Sequence, residues 1–167
     1  IAGGGILGAT LAYQLARRGA AVTVIEKQRP ATGATAASFA WINATYSKRP
    51  WPYYYLNRLG MEAWRHLDHD FAGELPVTWG GSVEWYADPQ RAARFRDEVK
   101  QHQSWGYPTE IVDAARLRAL ERQLNLGDIS VAGHATAEGH VDPVRATEVI
   151  LARAATLGAR VEYPCEL

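Results

Sequence analysis

The sequence predicts an α/β fold of two interleaved units, both incomplete, and three observations carry it. A glycine-rich turn, Gly3-Gly4-Gly5-Ile6-Leu7-Gly8, leads into a helical pattern and then into a β-branched run that ends on an acid, Glu26. Residues 77–138 change character, mixing aromatic strands with capped helices. A helix and strand after Asp142-Pro143 then look like a return to the first unit. The expected division is therefore 1–76 with 139–167 as one unit, and 77–138 as an insertion.

Each element has its own signal. Residues 9–18 place Leu11, Ala12, Leu15 and Ala16 on one side at helical spacing, and Gly19 stops the helix. Residues 21–25 form a short buried strand. The stretch from Gln28 to Ser38 is rich in Pro, Gly, Ala, Thr and Ser, and reads as a loop. From Tyr53 to Asp68, Leu56, Leu59, Ala63, Trp64 and Leu67 recur as the apolar stripe of an amphipathic helix. Val77 to Ala87 favours strand pairing. Asp88-Pro89 has the form of an N-cap followed by proline at the first helical position, with Ala92, Phe95 and Val99 as the buried stripe. Thr109–Val112 and Ile129–Ala135 are strands, and between them Asp113 caps a helix carrying Leu117, Leu120 and Leu124. Asp142-Pro143 repeats the cap-plus-proline start for a helix with Val144, Thr147, Ile150, Leu151 and Ala154 inside. Gly158 closes that helix, and Ala159–Tyr163 is a last strand.

Composition narrows the function classes. In 167 residues, 18 Lys+Arg balance 18 Asp+Glu, which argues against a nucleic-acid binder held by phosphate contacts. No apolar run reaches the roughly 18 residues of a membrane-spanning helix. The single cysteine, Cys165, excludes an internal disulfide and fits a reducing compartment, so a cytoplasmic location is expected. Only Ile1 and Ala2 precede the glycine turn, so the chain reads as a fragment cut inside its first strand.

The glycine turn satisfies G-x-G-x-x-G, and its context gives the match weight. Gly3 makes the tight turn, Gly5 lets the backbone approach a pyrophosphate, and Gly8 lets the helix lie close to the strand. The phosphates then sit at the helix N-terminus, where free N–H groups favour negative charge. Glu26, at the end of the second strand, accepts hydrogen bonds from an adenosine ribose and disfavours a 2′-phosphate. The first unit is thus a Rossmann-like FAD/NAD(P)-binding domain, and the fingerprint alone leaves the choice of cofactor open.

After Glu26-Lys27 the chain enters Gly33-Ala34-Thr35-Ala36-Ala37-Ser38, where an NAD-dependent domain would go on into another helix and parallel strand. Here it resembles the FAD-dependent amino acid oxidoreductases of the D-amino-acid oxidase and glycine oxidase type. Glu138-Gly139-His140-Val141-Asp142-Pro143 and Leu157-Gly158-Ala159 are similar to that family's return into the FAD domain. The resemblance implies FAD as cofactor, with contacts at Gly3, Gly5, Ile6, Leu7, Gly8, Glu26, Lys27, Thr35 and Ser38. It implies an inserted α+β substrate domain, and oxidation of the C–N bond of an amino acid or small amine by hydride transfer to flavin. It places further cofactor contacts and the substrate-carboxylate group after Leu167. No catalytic residue, metal site or oligomeric state is assigned.

Other candidates carry less. The tryptophans and Tyr53-Tyr54-Tyr55 read as packing. Trp41 and Asn43 follow the cofactor loop directly and are the better substrate-side residues. His66 and His69, with Asp68 and Asp70 nearby, have a spacing that metals use, but an exposed helix end explains them without a third ligand. His134 and His140 flank a turn with no partner in view, and Lys48-Arg49 reads as a solvated charge pair. Two alternatives stay open, a non-catalytic dinucleotide-binding module and an NAD-dependent dehydrogenase.

Overall fold

A computed structural model describes residues 1–45, 48 and 50–166. The elements in chain order are α1 (Ile6–Ala16), β1 (Thr23–Ile25), β2 (Trp41–Ile42), α2 (Trp51–Asp70), β3 (Val77–Thr78), β4 (Ser82–Tyr86), α3 (Pro89–Ser104), β5 (Thr109–Val112), α4 (Ala114–Leu120), β6 (Val131–Ala135), β7 (Gly139–Val141), α5 (Pro143–Thr156) and β8 (Arg160–Glu162). They divide by contact into two units. One comprises Ile1–Trp41, His66–Thr78 and His140–Leu167, the other Ile42–Arg65 and Trp79–Gly139. This division gives Ile42–Arg65 to the inserted unit, where the sequence pattern ran the first unit unbroken to residue 76.

In the first unit β1 pairs in parallel with β8, Val24 opposite Val161. Residues 1–3 run parallel along the other edge of β1. Ile25 N–H donates to Ile1 O at 2.9 Å, and Gly3 N–H donates to Ile25 O at 2.8 Å. α1 and α5 pack on each other. Buried on them are the small residues Ala9, Ala12 and Ala16 of α1 and Ala146 and Ala154 of α5, with the larger Ile150 also buried. Small side chains let two helices approach closely, and close packing supplies the dispersion energy that propensity alone lacks. Tyr13 meets Phe71 edge-on at 5.1 Å, and Arg17 pairs with Asp70 at 2.8 Å. α1 begins at Ile6, three residues before the predicted start, because Gly5 itself serves as the N-cap.

The inserted unit is built on an antiparallel sheet of order β4-β6-β5, with β6 buried at every position. α3 packs against all three strands. Both predicted caps in this unit are made. Asp88 accepts from Arg91 N–H at 2.8 Å, and Asp113 accepts from Arg116 N–H at 2.7 Å. Ala92, Phe95 and Val99 are buried, as their spacing requires. Leu124 is a correction, because α4 ends at Leu120 and Leu124 is exposed. Leu126 fills the core instead, with Val112, Leu117 and Ala132.

α2 is the larger correction. Leu56 and Leu59 are exposed and Ala63 faces solvent, while Tyr54, Met61 and Leu67 are buried. Leucines compete with tyrosines for the buried stripe, and packing rather than hydropathy decides which wins. Tyr54 stacks into a cluster with Trp51, Trp105 and Tyr107, at centroid distances of 5.3, 4.7 and 5.9 Å. Among the described residues, no helix is long and apolar enough to cross a membrane.

Candidate functional site

The parallel strands end where the glycine turn begins, so backbone donors and the Glu26 side chain converge at one edge of the first unit. Gly3 sits at φ +94°, a conformation that side chains rarely adopt, and this turns the chain sharply out of its strand. Gly8 then passes so close to the turn that a Cβ there would lie 2.0 Å from the Gly3 carbonyl oxygen. Close approach of helix to strand therefore depends on glycine at position 8. At Gly5 the space for a Cβ is held by Thr35, whose Oγ1 would lie 2.9 Å away.

That Thr35 hydroxyl has a second use. It accepts from Ile6 N–H at 3.1 Å, so a side chain from the loop caps a helix whose own N-cap, a glycine, has none to offer. The N–H groups of Leu7 and Gly8 lie in the same first turn, which the helix itself cannot satisfy. Nothing in the local spacing of the sequence points to this cap, because the two partners are 29 residues apart.

Glu26 stands directly after β1 with both carboxylate oxygens engaged. Oε2 accepts from Gly4 N–H at 2.7 Å, and Oε1 accepts from Gln28 N–H at 2.9 Å. These backbone donors, Gly4 foremost, hold its pKa below the ordinary 4.5. Sequence reasoning gave Glu26 a ligand to hold and nothing else to do. The structure adds a brace that joins the glycine turn to the following loop, while each oxygen keeps a further lone pair. Because folding lowers this pKa, the contribution to stability is complete above the unfolded value near 4.5 and is lost as pH falls through the depressed folded value. Thermal melts of the parent and Glu26→Gln should therefore converge as pH drops below 4.5. A gap of constant size down the pH series would show that the charge contributes nothing.

Between turn, helix and loop lies a groove of about 460 Å³. Gly3, Gly5, Ile6, Leu7, Gly8, Glu26, Lys27, Thr35 and Ser38 all line it, together with Gln28 and the backbone from Ala31 to Ala34. The structure thus brings every expected contact residue to one cleft. Its lining combines glycines, a helix N-terminus, the capping hydroxyl of Thr35 and the carboxylate of Glu26. An anionic, extended ligand with a hydroxylated sugar at one end suits that donor set.

The whole chain, residues 1–167, matches the family described as FAD dependent oxidoreductase. This chain belongs to the FAD-dependent oxidoreductases. FAD is the cofactor of that family, and the groove's donor set fits it. Glycine oxidase from Geobacillus kaustophilus superposes with a TM-score of 0.87 at 19% identity, over 98% of this chain and 45% of that one. L-amino acid deaminase from Proteus vulgaris gives 0.82 at 26% identity, over 96% of this chain and 38% of that one. The mitochondrial dimethylglycine dehydrogenase of Mus musculus is 25% identical over 168 residues, which are 98% of this chain and 19% of the relative. The chain thus spans about a fifth of that curated relative and less than half of either solved structure.

Outside the groove, the inserted unit holds a polar cluster that sequence reasoning missed. Glu138 is fully buried. Its Oε1 accepts from Ala44 N–H at 3.2 Å, Thr45 N–H at 3.0 Å, Thr45 Oγ1 at 2.6 Å and Tyr107 OH at 2.8 Å. Its Oε2 accepts from Ser82 Oγ at 2.6 Å. Burial, and then the neighbouring Glu138, push the Tyr107 phenol well above its ordinary pKa. The partners come from separate segments that no spacing rule connects. His134, for which the sequence suggested no partner, lies in register with Glu110, its Nδ1 3.5 Å from Glu110 Oε1. Trp41 and Asn43 are part-buried. Of the Lys48-Arg49 pair, Arg49 lies outside the described residues.

Proposed function

We propose that this chain supplies the FAD-binding part of an oxidoreductase that oxidises the C–N bond of an amino acid or small amine. The observation that carries the reading is the groove, which is lined by the glycine turn, a helix N-terminus and a carboxylate braced on that turn. On this reading the unit of Ile1–Trp41, His66–Thr78 and His140–Leu167 is the FAD-binding domain, and the unit of Ile42–Arg65 and Trp79–Gly139 is part of the substrate domain. Gly3, Gly5, Ile6, Leu7 and Gly8 cradle the pyrophosphate, with the N–H groups of Leu7 and Gly8 in the first helical turn as its backbone donors, since Gly3 N–H is held by Ile25 O and Ile6 N–H by Thr35. Glu26 accepts from the adenosine ribose, while Lys27, Thr35 and Ser38 complete the wall. Trp41 and Asn43 belong to the substrate side. The relatives support an amine substrate, since they include a glycine oxidase, an L-amino acid deaminase and a dimethylglycine dehydrogenase.

The bound flavin supplies a hydride acceptor. The protein's share is to hold the dinucleotide, orient the substrate Cα–H and exclude water. A cytoplasmic location belongs to the same proposal and rests on the lone cysteine; the Mus musculus relative is named as mitochondrial.

The test uses the FAD-loaded protein without oxygen. Its visible flavin band should bleach on addition of an amino acid or small amine, and hydrolysis of the imine product should release a carbonyl compound together with ammonia from a primary amine, or the smaller amine from a substituted one. A flavin that no member of an amine panel bleaches would refute the substrate class. Absence of a flavin band in folded protein would refute the cofactor assignment and favour NAD.

A further inference from the structure

Glu138 lies outside the FAD groove, and the reading above gives it no task. Yet it is fully buried and gathers donors from Ala44, Thr45, Ser82 and Tyr107. Among the described residues, the donors that reach its oxygens are neutral backbone and hydroxyl groups. A carboxyl group is costly to bury, and a buried polar cluster replaced whole by apolar side chains often leaves stability unharmed. What this group does that an apolar one could not is accept from two successive backbone N–H groups, those of Ala44 and Thr45. Those residues follow Asn43 directly and lie just past the paired strand β2. Beyond that strand's ladder, Glu138 accepts from both of their backbone N–H groups.

We propose that Glu138 is a positioning residue that fixes the Ala44–Thr45 backbone and thereby places Asn43 on the substrate side. The proposal rests on the functional reading above. It is a claim about shape rather than charge. Glutamine keeps Oε1 for the Ala44, Thr45 and Tyr107 donors, and its amide can donate to Ser82 Oγ, which accepts as readily as it donates. Aspartate keeps the acid but, one methylene shorter, cannot reach Ala44 and Ser82 together.

The experiment compares the FAD-loaded parent, Glu138→Gln and Glu138→Asp in two measurements. Amide exchange at Ala44 and Thr45 should match the parent in Glu138→Gln and quicken about tenfold or more in Glu138→Asp, the scale of losing one or two such hydrogen bonds. The amine concentration giving half-maximal flavin reduction should rise by a similar factor in Glu138→Asp alone, with bound flavin unchanged. If Glu138→Asp does not fold, Thr45→Val, which removes one donor, should shift both readouts in the same direction by a smaller factor. Unchanged exchange in the shortened variant would overturn the proposal, as would faster exchange with unaltered amine dependence. A glutamine variant as impaired as the aspartate one would show that charge matters and would equally overturn it. If no amine reduces the parent's flavin, it is the functional reading that fails, and the exchange comparison still decides whether Glu138 holds Ala44–Thr45.

Discussion

Replacing Gly8 with alanine should abolish FAD binding and destabilise the first unit by about 3 kcal/mol or more, the upper end for overpacking a close contact. The new Cβ would lie 2.0 Å from the Gly3 carbonyl oxygen, a contact with backbone that no rotamer relieves. Gly3 cannot yield easily, because its N–H donates to Ile25 O at 2.8 Å and its φ of +94° already defines the turn. The helix must slide outward, and the N–H groups of its first turn move away from the position where phosphates would be held. A control separates this effect from the general cost of changing glycine. Gly60, in α2, has nothing within 4 Å of its added Cβ, so Gly60→Ala should leave flavin content unaltered and raise stability by about 0.5–1 kcal/mol. Flavin absorbance per folded protein and thermal melts check both. Full flavin in Gly8→Ala would show that the turn tolerates a wider gap than its geometry suggests.

Glu138→Leu should cost upwards of about 3 kcal/mol, because each buried donor left without an acceptor costs roughly 1–3 kcal/mol and several are stranded at once. Leucine is close in volume, so little of the loss would come from a cavity. Glu138→Gln should stay within about 1 kcal/mol of the parent, since it keeps one oxygen for most of the donors. Urea unfolding midpoints measure the difference. Equal midpoints for leucine and glutamate would mean that water or an altered loop satisfies Ala44, Thr45 and Tyr107 in the variant.

These two residues also mark what the amino-acid sequence reveals and what it conceals. Gly8 was legible because its constraint is local, set by a fixed spacing from Gly3 and Gly5 and by the helix and strand on either side. The caps at Asp88, Asp113 and Asp142 were legible for the same reason, since each acts on donors within three residues. Glu138 belongs to a cluster assembled from segments as far as 94 residues apart, and its pattern exists only after folding. Thr35 sits between these cases. Its place in a small-residue loop suggested a ligand contact, but its service as a cap for α1 required the loop to fold back first. In α2 the expected stripe held at Leu67 but failed at Leu56 and Leu59, because the aromatic cluster around Tyr54 took the buried face there.

The pairing of β1 with β8 bears on the order in which the protein is made. Thr23 and Arg160 stand opposite each other although 137 residues separate them along the chain. During synthesis β1 must wait for the residues up to β8 to follow before the edge that pairs with β8 is covered. Over that interval β1 keeps an open strand edge beside the glycine turn, an arrangement exposed to wrong pairing. Closing so long a loop is also slow and entropically unfavourable when the intervening chain is unstructured. The antiparallel sheet of β4, β6 and β5 lies wholly within that interval, and its own pairings are shorter in range. Early folding of that sheet would shorten the effective tether and bring α5 and β8 back toward α1 and β1. A nascent chain halted just before β8 should accordingly be more sensitive to protease at β1 than at β6, and equal sensitivity at the two strands would argue for a single concerted step.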